Sequence, residues 1–164
     1  MNTMRAVRVE SCGGPEQMSV QVVPRPEPGP GEIRIRLSAC GINLIDTYHR
    51  SGLYPLSMPT GLGCEGAGIV EVVGDGVDDL IVGDRVGFAM AMGAYAEAIV
   101  LARGAVVKIP EGVTDEEVAA GLLKAMTVDY LFNDTFALSG GETVLFHAAA
   151  GGVGLIACQW AKTI

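Results

Sequence analysis

The chain has 164 residues, enough for one sizeable core or for one domain and part of a second. Hydrophobic residues make up 49% of it, which places it among globular chains, and a net charge of −8 argues against nucleic acid or an anionic membrane surface as a partner. The charged, alternating start MNTMRAVRVE is no signal peptide, and no stretch approaches the ~20 uncharged apolar residues of a membrane span. Cys12, Cys40, Cys64 and Cys158 form no CxxC pair, so a disulfide framework or structural zinc site is not expected; free thiols in a reducing cytoplasm are.

In chain order, Met4–Val9 and Met18–Val23 alternate apolar and polar residues and are predicted strands, separated by the turn Cys12-Gly13-Gly14-Pro15. The proline-rich stretch Pro24–Glu32 is a loop inside one domain rather than a linker, because Ile33–Leu37 resumes strict alternation. Leu44–Arg50 is a short helix capped near Asn43, and Gly52–Gly66, broken by Pro55, Pro59 and glycines, is an irregular loop. Strands are expected at Ala67–Val73, entering at Val82–Val86, over Gly93–Leu101 and at Val106–Ile109. Many short strands joined by turns imply a small barrel or sandwich. The pattern then becomes helical. Thr114 and Glu117 have capping-box spacing at the start of a helix running to about Leu123, a second helix is expected over Met126–Phe136, and Ser139-Gly140-Gly141 ends it.

The last stretch carries the clearest chemistry. Thr143–His147 is a short apolar run of strand type, Ala148–Gly154 is a glycine-rich turn, and Leu155–Trp160 is apolar with helical period. Strand, glycine turn and helix in this order open a dinucleotide-binding unit. The turn, Ala149-x-Gly151-x-x-Gly154, is a GxGxxG pattern with alanine in the first place. Gly151, Gly152 and Val153 present backbone N–H groups at a helix N-terminus, where a pyrophosphate is favoured, and Gly154 permits close helix–strand packing. The alternative is a tight turn with no ligand. His147 is expected to be structural rather than a proton shuttle, since nothing in the sequence pairs it with an acid or base.

Together, CGINLIDTYHRSGLYP (Cys40–Pro55), GLGCEGAGIVEVVGDGV (Gly61–Val77), VGDRV (Val82–Val86), GAYAE (Gly93–Glu97), LLKAMTVDYL (Leu122–Leu131) and LFHAAAGGVGLIACQWAK (Leu145–Lys162) resemble the medium-chain dehydrogenase/reductase superfamily. The closest likeness is to its zinc-free NADPH-dependent quinone oxidoreductases, the ζ-crystallin-like branch. The resemblance implies a mixed α and β chain: a GroES-like β-barrel domain over 1–124, then a bridging helix and the first βα unit of a Rossmann domain over 125–164, with the active site in the cleft between. Family proteins run to about twice this length, so the chain is expected to be an N-terminal half. The residues that select NADPH over NADH would lie past Ile164.

Zinc alcohol dehydrogenases of the superfamily hold catalytic zinc with two cysteines and a histidine. The matching places here are Asn43, Cys64 and Leu123, and an amide, a thiol and an aliphatic group make no zinc site. The resemblance therefore implies no metal, and hydride transfer from NADPH to a quinone, whose extended π-system needs no Lewis acid. It assigns Asn43 to nicotinamide or substrate contact, Tyr48 to a hydrogen bond near the reacting carbonyl, Tyr54 to the quinone pocket and Asp46 to orienting its neighbours. The bland alternatives are a helix cap, half-buried aromatics and a first-turn acid. Lys124 is assigned to ribose or phosphate and Thr127 to the carboxamide, against a surface lysine and a back-bonded threonine. Asp129 either pairs with Lys124 or faces solvent. Ala149, Gly151, Gly152, Val153 and Gly154 complete the cofactor set.

The expected function is NADPH:quinone oxidoreduction, with little activity from this stretch alone. One alternative is alkenal or enone double-bond reduction by the same apparatus. Another is a non-catalytic module that self-associates, as a homodimer or otherwise, through unpaired strand edges.

Overall fold

The computed structural model describes residues 2–164, which divide into two compact units after Ala120. In the first unit β1 (Thr3–Val9) pairs antiparallel with β2 (Met18–Pro24), and β4 (Thr60–Gly61) adds to the other edge of β1, giving the order β2-β1-β4. A second sheet has the order β7-β3-β5-β6-β8, formed by β3 (Glu32–Cys40), β5 (Glu65–Val73), β6 (Arg85–Ala89), β7 (Ala98–Ala102) and β8 (Val106–Lys108), all antiparallel. The Gly93–Leu101 run is a strand only from Ala98. Gly93 turns the chain at φ 106°, and the segment 95–97 bonds to β1 instead: Val7 N–H donates to Tyr95 O and Glu97 N–H to Arg5 O. That segment ties one sheet to the other.

Alternation explains why these segments are strands. Ile33 and Ile35 of β3 are fully buried and meet Val70, Val86, Phe88 and Ile99 in the core, while Arg36 faces out. Each fully buried Ile or Val side chain contributes about 1.5–3 kcal/mol. Between β3 and β5 the register slips: Arg34 faces Val72, Ile35 faces Val70, and Glu71 is left over in a β-bulge. The loop expected over Gly52–Gly66 holds β4 and the start of β5, and α1 (Leu44–Ser51) stands where a short helix was expected, ending at Gly52 with φ 84°.

The helix α2 (Asp115–Tyr130) starts at the expected capping box. Thr114 N–H donates to Glu117 Oε2 at 2.8 Å and Glu117 N–H to Thr114 Oγ1 at 3.1 Å. The two helices expected between Thr114 and Phe136 are one. Nothing between Leu123 and Met126 breaks the helical backbone, and α2 runs on into a π-type turn at Leu131–Thr135.

In the second unit, α3 (Gly152–Thr163) packs Ala157, Ile156 and Trp160 with Val128, Phe132 and Phe146. The expected strand Thr143–His147 is not formed. A strand needs a neighbour for its N–H and C=O groups; among the described residues from Gly121 on there is no strand, and the run is irregular, ending in a turn at His147, with Leu145 86% exposed. The first βα unit is thus represented by its turn and helix. Among the described residues no helix is long and apolar enough to cross a membrane.

Candidate active site

In the first unit, α1 begins at Asn43, whose extended backbone (φ −131°, ψ 150°) turns the chain out of the β-region into the helix. Asp46, one turn on, accepts Asn43 N–H at Oδ2 (2.8 Å), the carboxylate half of a capping box. The Asn43 side chain points elsewhere: its Nδ2 donates to Glu65 Oε1 at 2.7 Å and lies 3.9 Å from Cys64 Sγ. Glu65 is fully buried at the start of β5. Asn43 is therefore held by its backbone through Asp46 and by its amide through Glu65. A capping box with Asp46 is present here, and the Asn43 amide reaches Glu65 as well.

Asp46 is 5% exposed. Its Oδ2 also accepts the Tyr95 hydroxyl at 2.6 Å, and its Oδ1 has no hydrogen-bond partner among the described residues. Burial, then the hydrogen bond to Asp46, pushes the Tyr95 hydroxyl well above the usual tyrosine range, so it stays a donor. Burial and the charge of Asp46 likewise raise the Cys40 thiol. Asn43, Asp46, Tyr95, Cys40, Ile42 and Leu62 are among the residues lining a largely apolar cavity of about 560 Å³.

Tyr48 and Tyr54 do not line that cavity. They pair with each other, rings edge-on at 5.3 Å, and Tyr54 N–H donates to Tyr48 O at 3.1 Å. His49 also meets Tyr54 edge-on, ring centroids 6.1 Å apart. Tyr54 is 47% exposed, a surface on which a flat ring can lie. The four residues of this loop thus separate into Asn43 and Asp46, locked into the fold, and Tyr48 and Tyr54, presented as an aromatic pair. Among the described residues no group of three or more His, Cys, Asp or Glu is arranged to hold a metal ion.

In the second unit the glycine turn is tight and opens directly into a helix. Ala148 takes φ 54°, Gly151 N–H donates back to Ala148 O at 2.8 Å, and α3 starts at Gly152 with no side chain capping it. A Cβ at Gly154 would lie 2.5 Å from Ala149 Cα and 2.6 Å from Ala148 O, so only glycine fits there. A Cβ at Gly152 would meet Lys124 Cδ at 2.8 Å, which sets the stem of Lys124 over the start of α3. The uncapped N–H groups of α3 with a lysine above them fit a pyrophosphate. Thr127 Oγ1 donates to Leu123 O at 2.9 Å, the back-bonded arrangement, so toward a ligand it is an acceptor. Asp129 accepts from Asn133 Nδ2 at 2.7 Å, and His147 is exposed.

Residues 29–111 match the alcohol dehydrogenase GroES-like domain family. The chain belongs to that family. A quinone oxidoreductase of Pseudomonas aeruginosa is 52% identical over 162 residues, which make up 98% of this chain and 50% of that protein. A 2-haloacrylate reductase of a Burkholderia species is 39% identical over 164 residues, 96% of this chain and 49% of that protein. The crystal structure of Escherichia coli quinone oxidoreductase complexed with NADPH superposes with a TM-score of 0.95 at 46% identity, covering 97% of this chain and 49% of that one. The chain spans about half the length of the curated relatives it matches. The motifs that pointed to a GroES-like domain and to quinone oxidoreductases are borne out as a family likeness.

Within this GroES-like domain, Glu65 and Tyr95 are the polar residues of the site that the sequence reading missed. They lie 22 and 49 positions from the residues they hold. Both occur inside motifs that carry the family likeness, Gly63-Cys64-Glu65 and Gly93-Ala94-Tyr95. The available signal was a carboxylate and a phenol embedded among glycines and small apolar residues, where a polar side chain needs a partner.

Proposed function

We propose that the chain supplies substrate-side and pyrophosphate-side residues of a zinc-independent NADPH:quinone oxidoreductase. The observation that carries this reading is the double anchoring of Asn43, by Asp46 at its backbone and by Glu65 at its amide, beside an apolar cavity. Preorganised polar groups on a rigid element are what hydride transfer asks of a protein, because the reactive chemistry belongs to the nicotinamide. NADPH, when bound, supplies the hydride; the quinone takes it with a proton and leaves as the hydroquinone.

Each residue then has a task. The N–H groups of Gly151, Gly152 and Val153 receive the pyrophosphate, with Ala149 and Gly154 keeping the turn tight and Lys124 adding charge. Thr127 accepts from the carboxamide, and Asn43 contacts the nicotinamide or the substrate. Tyr54 lays its exposed ring against the quinone, and Tyr48 donates to the oxygen on which charge develops. Asp46 keeps Asn43 in place. Domain limits of 1–124 and 125–164, a cytoplasmic location and self-association belong to the same proposal. The exposed apolar run at Val144 and Leu145 supports the last of these.

The test is a chimera in which this chain replaces the matched half of a curated relative. Quinone-dependent NADPH oxidation is expected, lowered about a hundredfold in Tyr48→Phe, as for loss of one oxyanion donor. A chimera that binds NADPH and reduces no quinone overturns the reading. Turnover on α,β-unsaturated carbonyl compounds alone would favour the second reading, enone reduction, which the likeness to a 2-haloacrylate reductase supports.

A further inference from the structure

We propose that Arg25, Arg34 and Arg36 form a binding site for a phosphoryl dianion on the outer face of β3 and β5. In an acidic chain, three guanidinium groups converge on one carboxylate. Arg25 Nη2 lies 2.6 Å from Glu71 Oε2, Arg34 Nε 3.3 Å from the same oxygen, and Arg36 Nε 3.7 Å from Glu71 Oε1. The arrangement comes from the bulge. Regular pairing of β3 and β5 would alternate Glu71 with Val70 and Val72 opposite β3; the slip between Arg34 and Ile35 leaves Glu71 without a cross-strand partner and brings it beside both strand arginines.

The cluster is under-neutralised. Together with Asn2 these four side chains line an open cleft of about 440 Å³, so the lining carries three positive charges and one negative. Glu27, paired to Arg34 Nη1 at 2.7 Å, is 65% exposed and is not among the lining residues. The donors are not all engaged. Arg25 Nε is buried with no partner among the described residues, and the Arg36 pairing at 3.7 Å is too long for a hydrogen bond. The Arg34 side chain is 10% exposed and is fixed by Pro26 O at 3.1 Å, so its guanidinium is preorganised. A net positive charge of one, three arginines against Glu71 and Glu27, with planar forked donors and a partly exposed third arginine, suits a phosphoryl dianion, which accepts several charge-assisted hydrogen bonds at once.

Inorganic phosphate titrated into the chain at constant ionic strength, balanced with chloride, tests this by calorimetry and thermal denaturation. Saturable binding is expected, with a rise in melting temperature that follows occupancy. Arg36→Gln removes a half-exposed side chain that makes no hydrogen bond, so the fold survives. It is expected to weaken phosphate binding about tenfold, as for loss of one charge-assisted contact. A parallel titration with a phosphomonoester separates the sources. Tighter binding of the ester assigns the site to an organic phosphate, and tighter binding of the inorganic ion to free phosphate; either supports the site. Absence of saturable binding, or equal binding by Arg36→Gln and the parent chain, overturns the proposal, the second outcome placing the ion elsewhere, as at the start of α3.

Discussion

Between Thr3 and Lys108 eight strands exchange their N–H and C=O groups with one another, and the side chains of Ile33, Ile35 and Val70 vanish from solvent between them. From Gly121 to Ile164 the backbone is held by helices and turns alone, and Thr143–His147 forms no strand and is exposed but for Phe146, although its composition is that of a strand. The first region fixes its site residues by non-local hydrogen bonds, Asn43 to Glu65 and Asp46 to Tyr95. The second builds its glycine turn from local contacts, Ala148 to Gly151 and Ala149 against Gly154. A strand-like pattern is only half of a strand; the other half is a neighbour.

The comparison breaks if the two regions unfold together. Ile35→Ala probes it most strongly. It hollows the core of the first region at an expected cost of about 2–5 kcal/mol. Hydrogen exchange at the β3 and β5 amides should report that loss. The chain's single tryptophan, Trp160, sits in the second region's core, and its fluorescence transition should stay where it was. Equal shifts of both signals would show one cooperative fold.

Gly154→Ala probes the other side. A Cβ there meets backbone atoms on the facing turn, which cannot rotate away, so overpacking of about 1–3 kcal/mol is expected in the Trp160 transition. NADPH affinity, read by nucleotide fluorescence, should fall with it, while the β3 and β5 amides keep their protection. Retained affinity would remove the turn from the cofactor assignment.

What could be read in advance divides along the same line. Strands β1, β2 and β3, helix α1 and the Thr114–Glu117 capping box were legible because each is written in a period of two or in a local cap. The run Thr143–His147 is legible as an apolar run of strand type, but the hydrogen bonds that would make it a strand are not in the run itself. In the site, Asn43 and Asp46 were visible as the start of a helix. Their holders were not, because Glu65 and Tyr95 arrive through sheet register and through the 95–97 segment bonding to β1. The arginine cleft was hidden for a related reason: Arg34 and Arg36 read as the solvent face of an alternating strand, and only the bulge at Glu71 turns that face into a cluster.

Tyr95→Phe sharpens the account of the first region by removing one of its non-local bonds. The variant leaves Asp46 Oδ2 with Asn43 N–H alone, in a buried place, at an expected cost of about 1–2 kcal/mol. It also carries a pH signature. Below pH about 10, Tyr95 is protonated in folded and unfolded chains alike and contributes no pH dependence. Above that value the unfolded chain releases the proton, whereas the folded chain, with Tyr95 pushed higher, retains it. The folded state then binds more protons, and stability falls as pH rises. Urea denaturation at increasing alkaline pH should show a steeper loss for the parent chain than for Tyr95→Phe; parallel curves would mean the hydroxyl is not buried against Asp46.

The smallest expected effect is at the entrance to α2, where the anchoring is local but sits inside the strand-built region. Thr114→Ala removes the oxygen that accepts Glu117 N–H, an expected loss of about 1 kcal/mol. The helix start remains pinned, since Arg85 donates to Asp115 Oδ1 at 2.6 Å and to Val113 O at 2.7 Å. The loss should therefore show in the β-strand amides and leave the Trp160 transition unmoved. The Thr114 backbone N–H, and then its hydroxyl, hold the Glu117 carboxyl below its usual range. A depressed carboxylate stabilises above its unfolded value and ceases to do so as pH falls through the folded one. The difference between parent and Thr114→Ala should accordingly narrow on acidification, because protonated Glu117 no longer draws on the cap. A difference that is constant with pH would assign the cost to helix propensity at position 114 and not to the capping box.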